Sequence, residues 1–218
     1  QLEYLNALTR DDGTIPRIGD DDSGRVLALS HEEAFAVLDT GFALIPDAPR
    51  RSAGDRPTLD LAWVGGRAAL ERYRAAPRTS IASGFRAFSE AGVFVAAQGS
   101  EGEESQVCVT AGPARVRASA GHMHADQLSF SWYVAGYEVV GDPGTLCYAG
   151  SSESRDRLRA SASHSTAHPE GEELRGLLGG FRTGPGRRAQ VVVQGNDWSG
   201  HLRLESGFEI TRRIEFEA

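Results

Sequence analysis

Lysine is absent from the 218 residues: all 23 basic side chains are arginine, set against 30 acidic ones, for a net charge of -7. That balance argues against a protein that coats nucleic acid by bulk electrostatics, and an anionic ligand would need a local arginine patch. Cysteine is almost as scarce. Cys108 and Cys147 allow at most one disulfide and lack the paired spacing of a zinc ribbon, so they read as free or partly buried thiols. No apolar run approaches the roughly 20 residues needed to cross a bilayer, so membrane insertion is not expected. Gln1-Leu2-Glu3-Tyr4 has neither the charged nor the apolar region of a signal peptide. The chain starts without Met and stops at Glu217-Ala218 inside an alternating segment, and it reads as a fragment of something longer.

With 40% hydrophobic and 24% charged residues, the chain has enough apolar material to bury a sizeable core in one domain or two small ones. Its first third reads as helical. Gln1 to Thr9 resembles the tail of a helix, and Ser30-His31-Glu32-Glu33 forms a start of the capping-box kind before Ala34, Phe35, Val37 and Leu38. A second helix is predicted from Thr58 to Ala75, interrupted by Gly65-Gly66. From Ser80 the period changes to two. Strands are predicted at Gly92 to Ala96, Gln106 to Thr110, Leu128 to Val134, Tyr137 to Val140, Ala189 to Gln194, His201 to Glu205 and Phe208 to Phe216. Many short strands between glycine-rich turns imply a mainly β fold, an antiparallel β-sandwich preceded by a short α-helical segment. The division falls between residues 1–79 and 80–218.

The chemistry concentrates in three stretches: Gly121-His122-Met123-His124-Ala125-Asp126-Gln127-Leu128-Ser129-Phe130, Gly141-Asp142-Pro143-Gly144-Thr145 and Ser161-Ala162-Ser163-His164-Ser165-Thr166. In extended chain, alternate residues share a face, so His122, His124 and Asp126 point the same way. Imidazole and carboxylate suit zinc, and His124, Asp142 and His164 would supply three ligands with a position left open. An H-x-H pair alone does not specify a metal. A cupin also uses H-x-H but wants a Glu a few residues on, where this chain has Gln127, Leu128 and Ser129. A simple hairpin turning near Ala135-Gly136 would set Asp142 opposite about Ser129, so the 121–126 segment must curl back over the sheet before His124 can meet it.

Taken in order, G-H-x-H-A-D-x-L-S-F, a strand pair, D-P-G-T and R-x-x-x-S-x-x-H-S-T resemble the C-terminal sandwich of heparinase II/III-like polysaccharide lyases. Ile15-Pro16-Arg17-Ile18-Gly19-Asp20-Asp21-Asp22-Ser23-Gly24-Arg25 is similar to the segment that closes that family's helical toroid. The resemblance covers most of the chain and is weakest from Leu38 to Arg78. It implies His124, Asp142 and His164 as ligands of a divalent metal, usually zinc, with His122 facing substrate. His164-Ser165-Thr166 stands where the family has His-Asn-Thr, which leaves the ligand in place and changes its neighbour; the departure that bears on the third ligand is the segment after it, Ala167-His168-Pro169-Glu170-Gly171, which is less like the family. The implied substrate is an acidic polysaccharide or oligosaccharide, the implied setting periplasmic or secreted, and the implied partner an N-terminal toroid domain of the same protein.

Within the chain, His122 is the candidate acid or base, Tyr148 a candidate proton donor, and Arg155 and Arg159, with Arg157, candidates to hold a carboxylate or sulfate bidentately. The structural alternatives are a His122 that shapes the loop, a buried Tyr148, and arginines in ion pairs with Glu153 and Asp156. Asp126 reads as a partner that orients a histidine ring or caps the loop. Asp20, Asp21 and Asp22 lack the alternation and terminal Glu of an EF-hand and read as a turn. Three functions compete: uronate β-elimination, a non-catalytic carbohydrate-binding or exopolysaccharide-assembly module that keeps the metal, and a metal-dependent hydrolase using Asp126 as base.

Overall fold

Val93-Phe94-Val95-Ala96-Ala97 is an unbroken apolar run, and a strand with that composition must be covered on both faces. The computed structural model, which describes residues 1–20, 33–48, 50, 56–77, 83–100, 102–112, 121–145, 151–184 and 186–216, buries all five. They belong to β2 (Val93–Gln98), the second strand of an antiparallel meander that continues through β1 (Gly84–Phe88), β3 (Ser105–Thr110), β4 (Phe130–Val134) and β5 (Tyr137–Val140) in the order β1-β2-β3-β4-β5. A second sheet holds β6 (Gln190–Gln194), β7 (Asp197–Arg203) and β8 (Glu209–Glu215), also antiparallel. The fold is thus a mainly β sandwich preceded by short helices, as the period change predicts.

Phe94 faces the second sheet, where it meets Val109, Leu128, Trp198 and Leu202 in the core between the layers. Val93 and Val95 face the other way, onto Leu8 and Cys108, with Tyr4 and Ile18 packed alongside. The N-terminal segment therefore forms a third layer on the five-stranded sheet. That layer includes α1 (Leu2–Leu8), and Gln106 donates from β3 to the backbone carbonyl of Ala7. Cys108 is a free thiol, pushed up to about 12 by burial, and Cys147 lies outside the described residues.

The remaining helices, α2 (Glu33–Leu44) and α3 (Leu59–Ala75), pack on each other through Phe42, Leu61, Ala69 and Tyr73. Buried Asp39 of α2 accepts both the backbone N–H and the hydroxyl of Thr58, the residue that begins α3. The predicted interruption of α3 sits at Gly66, with φ 60. Ser30 to Glu32 of the predicted helix start, and the 79/80 division, lie outside the described residues. Two elements were not predicted: β1, whose residues are mostly half-buried, and α4 (Ser152–Arg159), capped by the Ser151 hydroxyl. No helix among the described residues is long and apolar enough to cross a membrane.

Candidate functional site

The curl that the sequence requires but does not explain is made by a turn from Asp126 to Ser129. Ser129 N–H donates to the Asp126 carbonyl, and Leu128 adopts φ 60. A leucine in the left-handed region is strained. Its side chain is fully buried between the sheets, above Gly200 of β7, where an added Cβ would come within 2.5 Å of Leu128. The notch at Gly200 therefore holds the strained turn in place, and the turn sends residues 121–126 back over the sheet. They are pinned to the end of α4, where Ala125 N–H donates to the Arg159 carbonyl at 2.9 Å and the Arg159 side chain donates to the Met123 carbonyl at 3.2 Å.

This path brings His124 to Asp142 and to His164, which follows the 3₁₀ turn Ser161–Ser163. Each of the three offers a ligand atom within 4.8 Å of the others. The two imidazole centroids are 5.2 Å apart. His164 Nδ1 lies 2.7 Å from Asp142 Oδ2, and the second oxygen of Asp142 accepts Gly144 N–H at 2.9 Å. His124 Nδ1 and His164 Nε2 are buried and make no hydrogen bond among the described residues. An unsatisfied buried polar atom costs about 1–3 kcal/mol. Two such nitrogens beside one carboxylate are a donor set that could hold a metal ion.

The centre of the arrangement is Asp20, which the sequence presents as a turn residue. Its side chain is fully buried. One carboxylate oxygen accepts from His124 Nε2 at 3.0 Å and Thr145 Oγ1 at 2.9 Å, and the other from Arg155 at 2.6 Å and His122 Nδ1 at 3.1 Å. The alternation of His122 and His124 is thus expressed as two rings on a single carboxylate. Fixing the His124 proton on Nε2 leaves Nδ1 as a lone pair, the usual outer arrangement of a metal-binding histidine. Gly19 allows the approach: it has φ +66, and an added Cβ would sit 2.4 Å from the His122 carbonyl oxygen. The Asp20 N–H donates to that same carbonyl. The signal available in sequence was the Gly-Asp step inside the Ile15 to Arg25 motif.

The sequence reads Asp126 as orienting a histidine ring or capping the loop, and the structure corrects the first alternative: the described ring hydrogen bonds of His124 and His164 go to Asp20 and Asp142, while the Asp126 carbonyl accepts from Ser129 N–H and the Thr110 hydroxyl. Burial pushes the Asp126 carboxyl up to about 6. Arg155 and Arg159 are corrected as well. Neither sits on the surface to meet an anion, since they are 5% and 0% exposed. Arg155 donates to Asp20 and to the Gly180 carbonyl, while Arg159 donates to Gly180, Met123 and Asp156. Arg157 is exposed. His122 has a side chain 70% exposed, the one imidazole of the group that faces outward. Tyr148 lies outside the described residues.

The family profile described as "Heparinase II/III-like, C-terminal" matches residues 81–218. The chain belongs to the heparinase II/III-like family. Similar solved structures include a heparinase III gene product (TM-score 0.64, 15% identity), another heparinase III (0.61, 14%) and the heparan sulfate lyase HepC of Pedobacter heparinus (0.57, 16%). Each alignment covers 97% of this chain but only 29%, 31% and 29% of the other, so the chain spans under a third of those proteins. No curated protein matches the sequence.

Protonation within this heparinase-like site follows from its packing. Burial holds His124 below the usual imidazole value in spite of the Asp20 hydrogen bond. Burial also acts on His164, but the hydrogen bond and charge of Asp142 outweigh it and raise the ring above the usual value. His164 therefore keeps its proton to higher pH than a free imidazole, and a metal ion bound there would have to displace it. Zinc uptake by the metal-free protein is expected to strengthen as pH rises from 6 to 8 with release of a proton, measured by calorimetry in buffers of different ionisation enthalpy. In the same metal-free state, the His164 contribution to stability is full below the unfolded imidazole value and is lost as pH rises through the folded one.

Proposed function

We propose that this chain is the metal-site portion of a polysaccharide lyase that cleaves an acidic, uronate-containing polysaccharide by β-elimination. The observation that carries the reading is one buried carboxylate, Asp20, holding an outward imidazole and an inward one. His122 is exposed and available to substrate, and His124 is turned toward Asp142 and His164. Similarity to heparinase III structures supports the same class.

In the elimination, the C5–H bond of the uronate breaks, the electron pair forms the C4–C5 double bond, and the C4–O bond breaks with proton transfer to the leaving oxygen. His122 is the proton-transfer group of this chain, since its imidazole is exposed and held in place at Nδ1 by Asp20. Asp20 fixes the tautomer and orientation of both rings. His124, Asp142 and His164 would hold a divalent cation, most fittingly Zn2+, which would supply fixed positive charge and tie together the curled segment, the Asp142 turn and the 3₁₀ turn.

The division at 79/80 is part of the proposal, with residues 1–79 the end of a helical toroid whose remainder supplies further groups of the cleft. The α2–α3 pair supports it: Leu44, Leu59 and Trp63 are 66%, 63% and 83% exposed, an apolar face of the sort a neighbouring helical layer covers.

Full-length protein mixed with heparan sulfate or alginate is expected to generate ultraviolet absorbance from the unsaturated product. His122→Ala is expected to lower that rate about a hundred- to ten-thousandfold while zinc stays bound. Binding of polymer with no absorbance change would instead mark a carbohydrate-binding module, and chain shortening without it a hydrolase.

A further inference from the structure

Leu177 and Thr183 close a small hairpin loop, with Leu178 N–H donating to the Arg182 carbonyl and Arg182 N–H to that of Gly179. Its Gly180 carbonyl receives guanidinium N–H groups from both Arg155 and Arg159. Two buried guanidinium groups, themselves paired with Asp20 and Asp156, thereby fix this loop carbonyl. The result is the placement of Phe181. The Arg155 guanidinium lies 4.2 Å from the centroid of that ring, and the ring lies 6.0 Å from the His122 imidazole. Phe181 is still 44% exposed and belongs to none of the core clusters among the described residues.

We propose that Phe181 is a substrate-contacting residue: its ring is a preset platform for the C–H face of a pyranose, seating the sugar beside His122. The inference rests on the lyase reading above. A flat, two-torsion side chain offers large contact area at low entropic cost, and fixing it before binding avoids the cost of ordering it afterwards. The surroundings argue for a sugar over a wholly apolar ligand. Buried Arg155 backs the ring and is already engaged with Asp20 and Gly180, but exposed His122 stands beside it, so a molecule lying on the ring must also present hydrogen-bonding groups at its edge. A pyranose does so, with C–H bonds on its faces and hydroxyl or carboxylate groups around its rim.

Calorimetric titration of the full-length protein with oligosaccharides of heparan sulfate, of alginate and of neutral cellulose tests this. One acidic oligosaccharide is expected to bind wild type, with Phe181→Ala raising its Kd about tenfold. Phe181→Tyr should restore affinity, and zinc content should match wild type throughout. Phe181→Leu keeps apolar packing without a flat ring, so it decides the matter if the alanine variant fails to fold; it too should weaken binding. Wild-type affinity in the leucine or alanine variant would overturn the platform and leave the lyase reading intact. Failure of every acidic oligosaccharide to bind wild type would overturn both.

Discussion

Zinc content is expected to fall from about one ion per chain to a background level when His124 and Asp142 are both replaced by alanine, as measured by elemental analysis of protein purified without chelator. The reason is geometric. Among the described residues, His164 is the only other member of the His124, Asp142 and His164 group, and one buried imidazole does not hold a divalent ion. Replacement of His122 alone should leave the ion in place, because that ring is outside the group and faces solvent. Full zinc retention in the double variant would refute the ligand assignment.

The second large effect is expected at Asp20. Asp20→Ala would strand the Arg155 guanidinium, whose side chain is 5% exposed, and leave Thr145 and two imidazoles without their acceptor. Breaking a buried ion pair from one side costs about 3–5 kcal/mol, read as a lower midpoint in denaturant unfolding. Asp20→Asn separates stability from function: it keeps the shape and one acceptor oxygen, so it should fold better than the alanine variant yet bind zinc about 10- to 100-fold more weakly. The pH dependence has a definite sign. Burial raises the Asp20 carboxyl, but hydrogen bonds from His124 and Thr145 and the Arg155 charge outweigh it and hold it below the usual range. Its contribution to stability is therefore present above the ordinary carboxylate value and is lost as pH falls through the lowered one. The stability difference between wild type and Asp20→Asn should shrink as the solution is acidified.

Much of the sandwich was legible because its cause is local. Val93 to Ala97 is apolar without a break, and the strand is buried on both faces; Glu209 to Glu215 alternates, and β8 is half-buried on one face. β1 escaped because Gly84-Phe85-Arg86-Ala87-Phe88 shows neither clean alternation nor an apolar run. At the candidate site, residue types were legible and their directions were not. Arg155 and Arg159 are suitable in chemistry for an anion, but an eight-residue helix carrying charge all along it gives no clue to which face is buried. Asp20 lies 102 residues from His122 in sequence, and nothing in a run of three aspartates marks Asp20 as buried. The curl at Leu128 depends on a glycine in a strand of the opposite sheet, a relation that no local pattern encodes.

Anomalous diffraction at the zinc absorption edge, from crystals of protein never exposed to chelator, tests the centre most directly. A single strong peak bounded by the rings of His124 and His164 and the carboxyl of Asp142 is the expected result. An edge signal located elsewhere, or none within ligand distance of those three side chains, would contradict it.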